Sequence, residues 1–329
     1  MASGKLMVIG GAEDKLGRRT ILGEFVRAAG GPDARIAVVA TASSLGPEIV
    51  EVYDALFRKL GAASVVSTRP ESRDEAHDPA LVAQLEEATG IFMTGGNQLK
   101  LSGVVSGTPF GDALVAAHER GVVVAGTSAG ASIQSSHMVA FGSGGATPKQ
   151  RMTQVAAGLG LVRSSVIDQH FDQRNRYGRL LMIVAQSPQL LGIGVDEDTA
   201  AVIDHEPTTA QDGSPGPVRE VLSVLGKGAV TIMDPSRMTS NAHEARRSAP
   251  LLASGVQLHV LPAGARFDLT TRTLLPEVAR PDPAEVAEMT AAGDDLRKLA
   301  RDIAAGDAGP SVLRRRQARK RRVGEPVDD

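Results

Sequence analysis

"VVVAGTSAGASIQ" (122–134) runs from four apolar residues into a cluster of the smallest side chains, with Ser128 set between Gly126 and Gly130. A continuous apolar run of this kind marks a strand covered on both faces. Gly126-Thr127-Ser128-Ala129-Gly130 then matches G-x-S-x-G, a sharp strand-to-helix turn that lifts a serine hydroxyl clear of a sheet. Glycine is needed on either side because the close backbone approach leaves no room for Cβ atoms. The N–H of the following residue, Ala129, is placed to help bind an oxyanion. The segment "ASIQSSHMVAF" (131–141) is compatible with the helix that such a turn feeds.

Other segments repeat the strand–helix alternation. "KLMVIGG" (5–11), "RIAVVATAS" (35–43), "ASVVST" (63–68) and "GIFMTGG" (90–96) read as strands rich in Val, Ile and Met. "GRRTILGEFVRAAGG" (17–31) and "PEIVEVYDALFRKLG" (47–61) carry apolar residues at helical spacing and end on glycine. Later strands are expected at 164–171 and 190–204, with a helix between them stopped by Ser187-Pro188. A surface hairpin loop is expected near "AQDGSPGP" (210–217), and a terminal β excursion over 259–275. The fold class is therefore α/β, a mostly parallel sheet flanked by helices.

Composition narrows the function. The chain has 329 residues, 42% apolar and only 3% aromatic, with a formal net charge of −2. That charge excludes a whole-protein attraction to nucleic acid or to membranes. No run reaches the length of a membrane helix or of a signal peptide, so a cytoplasmic protein is expected. With no cysteine, thiolate metal sites and cysteine nucleophiles are excluded. No two histidines stand at helical metal-ligand spacing, and neither glycine cluster completes a dinucleotide or phosphate-loop motif. No cofactor and no metal are expected. Residues 1–280 form the expected α/β domain; 281–329 read as a helical extension and a basic, disordered tail that includes "RRRQARKRR" (314–322).

A serine hydroxyl needs a base. Of seven histidines, His77 and His118 lie in polar, helix-like surroundings that suggest exposure, and His137 falls on the expected helix after the turn. His205, His243 and His259 lie in loops or late strands. His170 ends "SSVIDQHF" (164–171), at the carboxyl end of a strand where α/β sheets present functional residues. Around it, "DQHFDQRNRYGR" gathers Asp168, Gln169, Arg174, Arg176 and Arg179. A carboxylate to orient the histidine is offered by Asp196, Glu197 or Asp198, and spacing alone does not choose among them. The order serine, histidine, acid differs from that of α/β-hydrolases.

"GGAEDK" (10–15), "TASS" (41–44), "GGNQLKL" (95–101), "GTSAGAS" (126–132), "DQHFDQRNRYGRL" (168–180) and "GIGVDEDTA" (192–200), in this order, resemble the cyanophycinase family. The resemblance covers roughly residues 5–275. It implies a class I glutamine amidotransferase-like, flavodoxin-like fold and a serine exopeptidase that releases β-Asp-Arg dipeptides from cyanophycin. It assigns Ser128 as nucleophile, His170 as base and Glu197 as the orienting acid. Gly95 or Gly96 completes the oxyanion hole with Ala129, Gly96 being the expected donor. Gln98, Lys100, Asp168, Gln169, Arg174, Arg176 and Arg179 match the substrate pocket, and a homodimer is implied. The family's usual "GGDQ" reads "GGNQ" here. An aspartyl or isoaspartyl dipeptidase that spares the polymer, and a silent binding homologue, are the alternatives.

Overall fold

The structure is a computed structural model that describes residues 3–209 and 214–276. Its first half alternates strand and helix: β1 (Leu6–Ile9), α1 (Thr20–Ala28), β2 (Arg35–Val39), α2 (Glu48–Lys59), β3 (Ser64–Thr68), α3 (Pro79–Glu87), β4 (Gly90–Met93), α4 (Gln98–Val105), α5 (Pro109–Glu119) and β5 (Val123–Thr127). There follow α6 (Ala129–Ser132), β6 (His137–Gly142), β7 (Thr153–Ala157), β8 (Ser165–Gln169), α7 (Tyr177–Gln186) and β9 (Leu191–Val195). A long hairpin, β10 (Thr199–Thr209) and β11 (Pro215–Gly226), leads to β12 (Ala229–Asp234), β13 (Thr239–Ser240), β14 (Ala253–Ser254), β15 (Gln257–Pro262), β16 (Arg266–Asp268) and β17 (Thr273–Leu274).

The main sheet runs β17-β16-β11-β10-β1-β5-β4-β2-β3. Its β1-β5-β4-β2-β3 part is parallel throughout, while β10, β11, β16 and β17 add antiparallel partners beyond β1. Alternation along each strand splits the core in two. Leu6 and Val8 pack with α3, α4 and α5, whereas Met7 and Ile9 pack with α1 and α2. On the latter face Phe25, Phe57, Phe92 and Tyr53 pack with ring centroids 4.7–5.8 Å apart, bringing four of the chain's nine aromatic residues into one cluster. Side pairs of this kind add to the burial of each ring.

A second sheet, β15-β12-β9-β8, shares the core of the first through Ile167, Ile193 and Val195 and is covered on its other face by α7. Of its pairs only β8-β9 is parallel. The site-bearing loops therefore all leave the carboxyl ends of parallel strands: β1, β4 and β5 in one sheet, β8 and β9 in the other.

Three expectations need correction. The helix after the serine turn is one turn long. Ser135 Oγ donates to the carbonyls of Ser132 and His137, which ends the helix and starts β6. His137 accordingly opens a strand and is exposed. The segment 190–204 is two strands, broken at Asp196–Asp198 where Asp198 takes φ 49°. His118 is buried at the end of α5, 6% exposed, with its ring 6.4 Å from that of His205. The expected C-terminal helix and basic tail lie outside the described residues.

Candidate active site

The serine turn is built as its glycines require. A Cβ on Gly126 would lie 2.0 Å from the Gly130 carbonyl oxygen, and one on Gly130 would lie 2.3 Å from that of Met93. Any side chain at either position would force the turn open. Ser128 takes φ 52° and ψ −104°, a conformation L-residues avoid, at a cost of about 1–3 kcal/mol. Its N–H donates to the Ile9 carbonyl across the β1–β5 pair at 3.0 Å.

Ser128 Oγ lies 2.9 Å from His170 Nε2. His170 Nδ1 lies 2.6 Å from Glu197 Oε1. The carboxylate holds the proton on Nδ1, so Nε2 keeps a lone pair toward the serine hydroxyl. Burial is the largest influence on His170 and lowers its pKa; the Glu197 hydrogen bond opposes it, the Arg174 charge adds to it, and the net shift is downward. The imidazole is thus neutral and ready to accept a proton near pH 7.

The neighbouring acids are spent elsewhere. Asp196 accepts from the N–H groups of Asp172 and Ala229, and Asp198 accepts from that of Asp14. Of the three candidates only Glu197 meets the histidine. His170 itself has φ 47° and donates its N–H to the Gly10 carbonyl at 2.8 Å. Gly11, at φ +105°, leaves the space its ring occupies: a Cβ there would sit 2.2 Å from His170 Cε1.

The sequence profile described as peptidase family S51 matches residues 6–210, from β1 to the β10–β11 hairpin. The chain belongs to peptidase family S51. A protein named cyanophycinase from a Nostoc species is 41% identical over 278 residues, spanning 84% of this chain and 89% of the relative. A cyanophycinase from Geminocystis herdmanii is 37% identical over 268 residues, spanning 81% and 94%. Among solved structures, a peptidase from an acI-B1 Actinobacterium is 21% identical, with a TM-score of 0.51, covering 78% of this chain and 98% of its own. That last likeness is one of fold.

In this S51 peptidase the remaining sequence-selected residues divide into groups. Gly95 lies against the serine: its Cβ would be 3.3 Å from Ser128 Cβ and 3.9 Å from Oγ. Gly96, at φ +140°, instead backs onto the Ala42 carbonyl of the "TASS" loop. Ala129 is the first residue of α6, where helix N–H groups have no acceptor within the helix. Asn97, the residue that departs from "GGDQ", caps α4 by accepting from the N–H groups of Leu99 and Lys100. A neutral cap suffices for that task. Gln98 donates to the β6 carbonyls of Val139 and Ala140, and Lys100 pairs with Glu71 at 2.6 Å.

Asp168 is fully buried, and both its oxygens are occupied by buried arginines. Arg179 Nε donates to Oδ2 at 2.6 Å and its Nη2 to Oδ1; Arg176 Nη1 reaches Oδ1 at 3.1 Å. Arg176 also donates to Gln169, side chain and backbone, and Arg179 to the Gly142 carbonyl. Burial, opposed by the Asp168 charge, brings the Arg176 pKa down to about 10, which leaves it charged at neutral pH. Two guanidiniums against one carboxylate leave the cluster cationic. Arg174 is exposed one turn from His170, and its guanidinium forms no ion pair among the described residues.

Sequence reasoning passed over one group beneath the serine. Glu13, 3% exposed, accepts from Thr127 Oγ1 and Tyr53 Oη at 2.5 Å each and from Lys15 Nζ at 2.7 Å. The signal for it was present in "GGAEDK", which carried the resemblance without a role.

Proposed function

We propose that this chain is a serine exopeptidase that hydrolyses cyanophycin to β-Asp-Arg dipeptides. The observation that carries the reading is the Ser128–His170–Glu197 relay, present in a chain 36–41% identical over most of its length to proteins named cyanophycinase. Ser128 Oγ attacks the backbone carbonyl while His170 Nε2 takes its proton, and Glu197 stabilises the imidazolium that forms. The oxyanion is received by the N–H of Ala129 with that of Gly95 or Gly96. His170 then returns the proton to the leaving amine, and water attacks the acyl-enzyme by the same route in reverse.

The substrate offers free carboxylates and guanidiniums. Because Asp168 is committed to Arg176 and Arg179, the cluster beside His170 presents cationic donors, suited to a substrate carboxylate. In this reading Arg174 with Arg176 and Gln169 receives that carboxylate, Gln98 and Lys100 line the opposite wall, and Asp168 and Arg179 hold the frame. The enzyme acts in the cytoplasm as a homodimer, which light scattering on the purified chain tests. Among the described residues no helix is long and apolar enough to cross a membrane.

The test is product analysis after incubation with cyanophycin and, in parallel, with short aspartyl peptides. Release of β-Asp-Arg from the polymer is expected, and Ser128→Ala abolishes it with the fold retained. Hydrolysis by Ser128→Ala, or cleavage of the short peptides alone, overturns the reading.

A further inference from the structure

Glu13 is a buried ionisable group with no part in the relay, and three side chains donate to it. Tyr53, one of only two tyrosines in the chain, is fixed by the aromatic cluster, with its ring 4.7 Å from Phe92 and 5.8 Å from Phe57. Its hydroxyl rises from this cluster to Glu13 Oε1. Lys15 supplies the counter-charge to the same oxygen and lies 5.4 Å over the Tyr53 ring. The second oxygen, Oε2, accepts the hydroxyl of Thr127, the residue that immediately precedes Ser128.

The loop carrying Glu13 touches His170 and the chain neighbours of the other two relay residues. The Gly10 carbonyl accepts the His170 N–H, and Gly11 makes room for the imidazole. The Gly11 carbonyl and the Asp14 N–H both engage Asp198, next to Glu197. Ser128 meanwhile sits in a strained conformation that persists only where the surroundings over-determine it. The Ser128 N–H bond to Ile9 fixes one point of that turn, and the Thr127–Glu13 bond holds the side chain of the residue before it.

We propose that Glu13 is the positioning residue of the serine turn: its carboxylate, anchored by Tyr53 and Lys15, clamps Thr127 and thereby aims Ser128 Oγ at His170. The proposal rests on Ser128 being the nucleophile. A purely structural ion pair, by contrast, contributes to folding and leaves turnover untouched. Burial tends to raise the Glu13 pKa, but the Lys15 charge and the hydrogen bonds from Lys15, Thr127 and Tyr53 outweigh it, so the carboxylate stays ionised as the clamp requires.

The experiment measures kcat and KM for cyanophycin with Thr127→Val, Thr127→Ser and Tyr53→Phe. Thr127→Val keeps the shape and removes the donor, so kcat is expected to fall 10- to 100-fold with KM within threefold. Thr127→Ser restores the hydroxyl and returns kcat to within threefold of the parent. Tyr53→Phe keeps the ring and lowers kcat at least threefold, and it decides the matter if Thr127→Val does not fold. A parental kcat in the deciding variant overturns the proposal, as does an equal loss in Thr127→Val and Thr127→Ser. Activity in Ser128→Ala defeats the nucleophile assignment itself, whereas an inactive Ser128→Ala beside a fully active Thr127→Val defeats only the role of Glu13.

Discussion

Replacing Asp168 by Asn tests whether the arginine cluster is a frame or a free recognition surface. Asp168 is completely buried, and three hydrogen bonds from Arg176 and Arg179 converge on its two oxygens. The amide removes the only negative charge in the cluster and turns one acceptor into a donor facing a guanidinium. Arg176 keeps its bonds to Gln169, and Arg179 keeps the Gly142 carbonyl at 3.0 Å, so neither is stripped of all partners. Two buried cations nevertheless lose their counter-charge, and breaking a buried pair in this way costs about 3–5 kcal/mol. At roughly 2–3 °C per kcal/mol for a domain of this size, Tm falls by about 6–15 °C. Thermal unfolding followed by circular dichroism reads this directly, with Arg174→Ala as the exposed control, expected to stay within about 2 °C because an exposed side chain contributes little. If Asp168→Asn melts with the parent and instead raises KM, its oxygens serve the substrate and the frame reasoning is wrong.

Four further outcomes are expected. Gly11→Ala drives a Cβ into the His170 ring, so kcat should fall by about 100-fold; a kcat within threefold of the parent refutes the steric account. Since His170 must be neutral and its pKa is lowered chiefly by burial, kcat/KM should be flat near neutral pH and decline only as pH falls through a midpoint below 6.5. Glu197→Gln removes the negative charge that helps hold this pKa up, so it should move the midpoint lower still; an unchanged or higher midpoint contradicts the relay. Burial, and then the His205 charge, lower the His118 pKa from 6.5 to about 4. The unfolded chain therefore takes up a proton that the folded one refuses between these values. Stability is intact above pH 6.5 and drops by about 3 kcal/mol as pH falls toward 4. Urea unfolding of His118→Leu at pH 7 and 4.5 should show a smaller acid loss than the parent, and an equal loss excludes His118 as the source.

Local sequence determined the five parallel strands β1 to β5, because short runs such as "VVVA", rich in β-branched residues and bounded by glycine, suit a sheet covered on both faces. It also determined the serine turn, because Gly126 and Gly130 are dictated by steric limits that operate within a few residues and on the adjacent strand. The helices α1 and α2 were legible for the same reason, through spacing and glycine stops. The helix expected after the turn was not: the hydroxyl of Ser135 captures two carbonyls and diverts the chain into β6, a choice of hydrogen-bond partner that periodicity does not encode.

What only the tertiary structure decided is which partners distant residues find. Asp196, Glu197 and Asp198 are chemically equivalent in sequence; the break between β9 and β10 spends the first and third on backbone N–H groups and turns Glu197 to His170. The arginines of "DQHFDQRNRYGR" read alike as pocket residues, yet the packing of α7 over the second sheet buries two of them on Asp168 and leaves Arg174 outside. Glu13 acquires its role only when β1 and β5 pair and α2 brings Tyr53 above them. Short-range sterics are written in adjacent residues, whereas the fate of a charge depends on what the fold places within about 3 Å of it.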